Sequence, residues 1–271
     1  MEKEVQTDVT KNIENIEIQR IEPTQLEVVQ NDALTIEEIE TGLVYNGSMV
    51  RVADISEEFR KVIEPILRMY NAAMNVTTAR IEIIKDESRY KNVRCPVHHI
   101  DTRLKSAGSI LGKLQKKNLD LTIGAACNNI YDIAGVRIVC PYIKDVYFIR
   151  DRILAQDDIE VMKVKDYIEH PKENGYRSYP MIGEVPVFFS SSKKNIRVEV
   201  QIRTIAMDFW ASLDHQLKYK KQLDAQEAAE IGAELKKCAD VIAETDCKML
   251  SIRQKIEEKH PTQEEYRDVN E

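Results

Sequence analysis

"NIRVEVQIRTIAMDFW" occupies Asn195–Trp210. Val198, Val200 and Ile202 alternate with Glu199, Gln201 and Arg203, and a period of two predicts a half-buried β-strand. The polar face of such a strand is ordinarily solvated. Here it sets a carboxylate, an amide and a guanidinium in a row, which a substrate could use. Further sheet is predicted around this strand. "AGVRIVCPY" (134–142) is a short β-rich run ended by Pro141, while "IEVMKVKDYI" (159–168) and "PMIGEVPVFF" (180–189) alternate. "VYFIRDRIL" (146–154) is helical, and helices and strands mix without regular β-α-β repetition. The expectation is an α+β domain.

Helices are predicted on both sides of this sheet region. One starts at Ser56 and carries a broken apolar stripe (Phe59, Ile63, Ile66, Tyr70, Ala73, Ile84) to about Lys85. Pro65 either kinks it or marks its first turn. A loop follows around Asn92–Pro96, and Ser106 to Lys117 reads as a helix with a basic end. Near the C-terminus, Ile231, Leu235, Cys238, Ile242, Thr245, Met249, Ile252 and Ile256 step by four and three, a heptad-like seam. The seam fits packing on its own core and self-association equally. Residues 1–55 are acid-rich and aromatic-poor and read as a flexible extension, with a short helix near Thr35–Glu40. The main domain is placed at 56–258 and a tail at 259–271.

The chain of 271 residues is 43% hydrophobic and 31% charged, an ordinary globular balance. A net charge of −7 excludes a polycationic nucleic-acid binder, so any anion site must be a local basic patch. No apolar run has the length of a membrane span and the start has no signal-peptide core, while the scattered, odd-numbered cysteines point to a reducing cytosol. Cys95, Cys127, Cys140, Cys238 and Cys247 form no CxxC pair and are expected as small buried thiols.

Four segments concentrate polar groups. In "DTRLKSAGSILGKLQKK" (101–117), Arg103 and Lys105 precede the helix, and Ser109, Lys113 and Lys116 lie on one of its faces, a pattern suited to polyphosphate. In "YDIAGVRIV", Asp132 stands before a strand that Arg137 interrupts. A carboxylate there can hold Mg²⁺, which takes one or two protein carboxylates plus phosphate oxygens. In "HPKENGYRSYP" (170–180), Asn174–Gly175 signals a turn, and Tyr176 and Arg177 follow on a tight loop. Glu199, in the opening strand, is a second carboxylate. Taken together, these residues are an inventory for handling two nucleoside polyphosphates around Mg²⁺. There is no GxxxxGK or GxGxxG pattern.

"RLKSAGSILGKLQKK", "DIAGVRIVC", "KDYIEHPKENGYRSY" and "VEVQIRTIAMDFWASLDHQLKYK" resemble the small alarmone synthetases, the single-domain branch of the RelA/SpoT family, from about Ser56 to Glu258. The resemblance implies a mixed sheet flanked by helices, similar to nucleotidyltransferases. It also implies transfer of pyrophosphate from ATP to the 3′-hydroxyl of GTP or GDP, giving (p)ppGpp and AMP, in a cytoplasmic homotetramer. By motif, Arg103 and Arg137 would sandwich the adenine, and Lys105, Ser109, Lys113 and Lys116 would hold the ATP phosphates. Asp132 would bind Mg²⁺, and Glu199 would activate the 3′-hydroxyl and share the metal. Tyr176 would stack on guanine, with Lys165, Lys172 and Gln201 around the acceptor nucleotide. (p)ppGpp or single-stranded RNA would be an allosteric partner. His215 also matches a family motif and reads as structural.

Two positions depart from the family pattern. Pro180 stands where the family usually has a histidine near the acceptor phosphates, which implies a slower synthetase. "KSAGSI" replaces the frequent "KSPESI", so that Gly108 loosens the helix start. His98, His99 and Asp101 are close in sequence, but the hydrolase domain of the longer relatives is absent and no alarmone hydrolysis is expected. Two other readings are a weakly catalytic RNA- or nucleotide-binding regulator and a toxic relative that pyrophosphorylates tRNA.

Overall fold

The computed structural model describes residues 42–45, 48–91, 93–218 and 225–260. It divides into two compact units, Met1–Leu67 with Lys105–Ile130, and Arg68–Leu104 with Tyr131–Glu271. In the first unit, strands β1 (Gly42–Tyr45) and β2 (Ser48–Arg51) pair antiparallel. They precede helix α1 (Val52–Tyr90), whose first part belongs to this unit. α1 therefore begins before Ser56 and passes through Pro65, which is not in its first turn. The helix expected at Thr35–Glu40 lies outside the described residues.

Helices α2 (Ala107–Lys116) and α3 (Ile123–Asn129) complete the first unit. Ser106 caps α2: its extended backbone lets Oγ accept from the Ser109 N–H at 3.3 Å. Thr122 does the same for α3, accepting from the Ala125 N–H at 3.1 Å. The apolar side of α2 (Ala107, Ile110, Leu111, Leu114) is buried, as are Ala126 and Ile130.

The second unit holds the sheet of β3 (His99–Leu104), β4 (Ala134–Cys140), β5 (Glu160–Val164), β6 (Tyr179–Phe188) and β7 (Lys193–Thr204). Its order is β3-β4-β7-β6-β5. β4 and β7 run parallel and all other pairs antiparallel, so the sheet is mixed. Alternation divides its faces. Val136, Ile138, Met181, Val198, Val200 and Ile202 are buried on one side. Helix α4 (Ile143–Leu154) packs on β4 and β7 and buries Val146, Ile149 and Ile153.

Helix α5 (Ile205–Lys218) follows β7 directly and packs against the ends of β4 and β7. Helix α6 (Ala225–Lys259) lies against α5. Trp210 of α5 is buried with Leu235 and Ala239 of α6, and its indole N–H donates to the Leu235 carbonyl at 2.9 Å. The predicted seam is thus divided. Leu235 and Ile242 pack inward, while Ile231, Met249, Ile252 and Ile256 remain exposed. Thr204 donates from Oγ1 to the buried Asp246 carboxylate at 2.6 Å, and burial holds that carboxyl above its usual range. Farther along, Arg94 and Arg253 both face the buried Asp145 and the Tyr142 ring, tying α6 to the start of α4.

The cysteines depart from the expectation of uniform burial. Cys140 is buried, Cys95 and Cys127 are half-buried, and Cys238 and Cys247 are exposed on α6. Helix α6 leaves both of its thiols exposed, although Cys247 borders the cavity that Trp210 lines.

Candidate active site

The polar side of the sheet is set by register. Arg103, Gly135, Glu199 and Ile182 form one row across β3, β4, β7 and β6, and Asp101, Arg137, Gln201 and Pro180 form the next. The opening strand therefore places Glu199 and Gln201 beside Arg103 and Arg137, on one face. Gly135 has no side chain to stand between Arg103 and Glu199, and Glu199 is half-buried there. Asp132 lies in the turn just before β4. Among the described residues no cluster of three or more acidic, His or Cys side chains could hold a metal alone. Asp132 and Glu199 instead suit an ion such as Mg²⁺ that draws its remaining ligands from phosphate and water.

At the α5 end this face is closed. Arg203 is buried and bonded on several sides: Nη1 donates to Asp208 Oδ1 (3.0 Å), and Nη2 to Tyr176 Oη (2.8 Å) and Gln201 Oε1 (2.9 Å). Arg137 Nη1 reaches the same Asp208 oxygen at 3.3 Å. Motif reading missed Asp208 and the structural task of Arg203. The only signal was Asp208's position one helical turn after the strand.

Tyr176 sits on a loop whose shape follows from its sequence. Asn174 Oδ1 accepts from the Tyr176 N–H at 3.2 Å, and Gly175 takes a φ of +85°, which favours glycine. A Cβ at Gly175 would lie 2.5 Å from the Ala239 Cβ, so the loop rests directly on α6. Arg177 locks it there through the carbonyls of Gly175 and Ala239 and the carboxylate of Asp240. The Arg177 hydrogen bond, followed by that of Lys236, holds the Asp240 carboxyl below its usual range.

Cations gather over the loop's aromatic rings. Lys172 Nζ lies 4.9 Å from the Tyr176 ring centre and 4.8 Å from that of Tyr167. Lys165 donates to the Tyr167 hydroxyl at 2.8 Å and so holds that phenol below its ordinary pKa. Lys165, Lys172 and Tyr176 thus lie together, with the Tyr167 ring between the two lysines. Pro180 stands on the polar face beside Gln201. Its carbonyl accepts from the Lys165 N–H at 3.0 Å. In an antiparallel strand a residue's N and O face the same side, so the missing N–H falls where β5 has ended and breaks no ladder bond.

In the first unit, Ser109, Lys113 and Lys116 share the outer side of α2, with Ser109 and Lys116 exposed, and Lys105 precedes its cap. Ser109 Oγ lies 2.9 Å from Ser106 Oγ. A Cβ at Gly108 would meet nothing within 4 Å, so the departure at this position leaves open space. His215 falls on α5, with its side chain outside the described ones.

A mixed sheet with one polar face, closed at one end by a helix and flanked by a lysine-bearing tyrosine loop, defines a class of α+β protein with a site for polyanions. Comparison with known proteins narrows the class. The family described as "Region found in RelA / SpoT proteins" matches residues 102–224. GTP pyrophosphokinase YwaC of Bacillus subtilis is 39% identical over 191 residues, covering 70% of this chain and 90% of that protein. GTP pyrophosphokinase YjbM of the same organism is 31% identical, covering 72% and 90%. Small alarmone synthetase 1 from Bacillus subtilis, solved with its product pppGpp, superposes with a TM-score of 0.65 at 30% identity, over 73% of this chain and 99% of that one. The chain belongs to the RelA/SpoT family, in its small alarmone synthetase branch.

Proposed function

We propose that this protein is a GTP pyrophosphokinase. It transfers the β,γ-pyrophosphate of ATP to the ribose 3′-hydroxyl of GTP or GDP, producing (p)ppGpp and AMP. The observation that carries this reading is Glu199, a carboxylate on the polar side of the sheet beside Gly135, with Gln201 and Arg137 in the adjacent row. The family membership and the names of the relatives support it.

The reaction forms a bond between the 3′-oxygen and the β-phosphorus of ATP and breaks the bond from that phosphorus to the α–β bridging oxygen. The 3′-hydroxyl proton goes to Glu199, and AMP leaves with the bridging oxygen. General-base assistance of this kind is worth about 10²–10⁴-fold. Mg²⁺, held by Asp132 and Glu199, would neutralise phosphate charge when bound. Arg103 and Arg137 hold the adenine, and Lys105, Ser109, Lys113 and Lys116 hold the ATP phosphates. Tyr176 stacks on guanine, a contact worth about 1–3 kcal/mol, with Lys165, Lys172 and Gln201 around the acceptor.

The working unit is a cytoplasmic homotetramer. Among the described residues no helix is long and apolar enough to cross a membrane, and α5 and α6 carry exposed apolar stripes suited to self-association. (p)ppGpp or single-stranded RNA acts as an allosteric ligand. Incubation with labelled ATP and GDP, followed by nucleotide chromatography, tests the reading: AMP and ppGpp should appear in equal amounts. Unchanged ATP would contradict it.

A further inference from the structure

Asp208 is assigned to neither nucleotide, yet it stands where their two sets of residues meet. Its Oδ1 is shared by Arg137 at 3.3 Å and Arg203 at 3.0 Å. Arg203 in turn holds the Tyr176 hydroxyl at 2.8 Å and lies 5.2 Å from the ring centre. One carboxylate oxygen thus joins the arginine proposed for adenine to the tyrosine proposed for guanine. The cluster has too few acceptors, because the Nε atoms of both arginines are buried without a partner among the described residues. A donor-rich cluster gains when one guanidinium finds another acceptor or a ring to stack on.

Exposure decides which arginine can leave. The Arg137 side chain is 36% exposed and that of Arg203 only 6%. Arg203 is also fixed by Gln201 and Tyr176, whereas Arg137 lies in the open part of the polar face.

We propose that Asp208 is a positioning residue that couples the two nucleotide sites. When Arg137 turns to the adenine of ATP, the shared oxygen is left to Arg203, which then holds Tyr176 more firmly for guanine. Coupling between sites is reciprocal, so each nucleotide tightens the other by the same factor. The inference rests on the pyrophosphokinase reading.

Calorimetric titration of GDP into the full-length protein tests it, with and without an ATP analogue whose α–β bridge is a methylene. In the wild type the analogue should tighten GDP about fivefold or more, the lower range of such couplings. In Asp208→Asn, which keeps the shape and loses the charge, the ratio should fall toward one. Tyr176→Phe keeps the ring and removes only the hydroxyl, and should lower the ratio in the same way. The ratio is internal to each variant, so a general loss of affinity does not mimic the effect. A ratio of one in the wild type, with both nucleotides bound, overturns the coupling alone. So does an undiminished ratio in both variants. Binding of neither nucleotide to the wild type overturns the pyrophosphokinase reading and the coupling with it.

Discussion

Glu199 owes its place to strand parity. Its neighbours Val198 and Val200 are buried, so the carboxylate must face the other way, and the parallel pairing with β4 brings it level with Gly135. Glu199→Gln removes the proton acceptor and preserves shape. Turnover in the ATP plus GDP assay should fall about 10²–10⁴-fold with the melting temperature nearly unchanged. Near-full turnover would remove Glu199 from the chemistry. Pro180 lies two strand positions from Ile182, the β6 partner of Glu199, and on the same face. A histidine there could donate to an acceptor phosphate, and a hydrogen bond to a charged group is worth about 1.5–3 kcal/mol. At 1.36 kcal/mol per factor of ten, Pro180→His should raise kcat/KM for the guanine nucleotide about 10–150-fold and leave that for ATP less changed. Steady-state kinetics with each substrate varied reads this directly. Unchanged guanine-nucleotide parameters would show that position 180 does not serve the acceptor.

At the scale of elements, the loop of residues 170–178 depends most on one backbone conformation. Gly175→Ala would force a Cβ into the left-handed region, at a cost of about 1–2 kcal/mol, and against α6. The expected result is a raised KM for the guanine nucleotide with the KM for ATP largely retained, since the loop carries Lys172 and Tyr176. Equal rises in both would contradict the division of labour. The elements also show what a single sequence reveals. β6 and β7 were legible because each buries one face and therefore alternates, and β4 because it is a short β-rich run ended by Pro141. β3 was not: His99–Leu104 is an edge strand with no buried residue and three exposed ones, so no period marks it and Arg103 reads as a loop residue. α3 is too short for periodicity to show. The Tyr176–Arg203–Asp208 cluster was also hidden, because contacts between distant residues depend on the register of β7 and the docking of α5. The motif residues themselves were legible through their resemblance to a family, and register then explained why Glu199, Gln201, Arg103 and Arg137 belong together.

At the scale of the whole molecule, self-association should follow from surfaces the second unit leaves uncovered. Ile205, Phe209, Leu213 and Leu217 repeat every four residues along α5 and are all exposed, a stripe not recognised from the sequence. On α6 the outer half of the seam is exposed as well. Light scattering at micromolar concentration should give four times the mass of one chain. Phe209→Glu combined with Ile252→Glu should lower it, and a wild-type protein with the mass of one chain would contradict the tetramer. Group transfer between two nucleotides is tested most directly by phosphorus NMR of a reaction with ATP, GDP and Mg²⁺. It predicts one AMP for every guanosine nucleotide that gains a diphosphate on its 3′-oxygen, with no free pyrophosphate. AMP and pyrophosphate released together, with GDP unmodified, would contradict it.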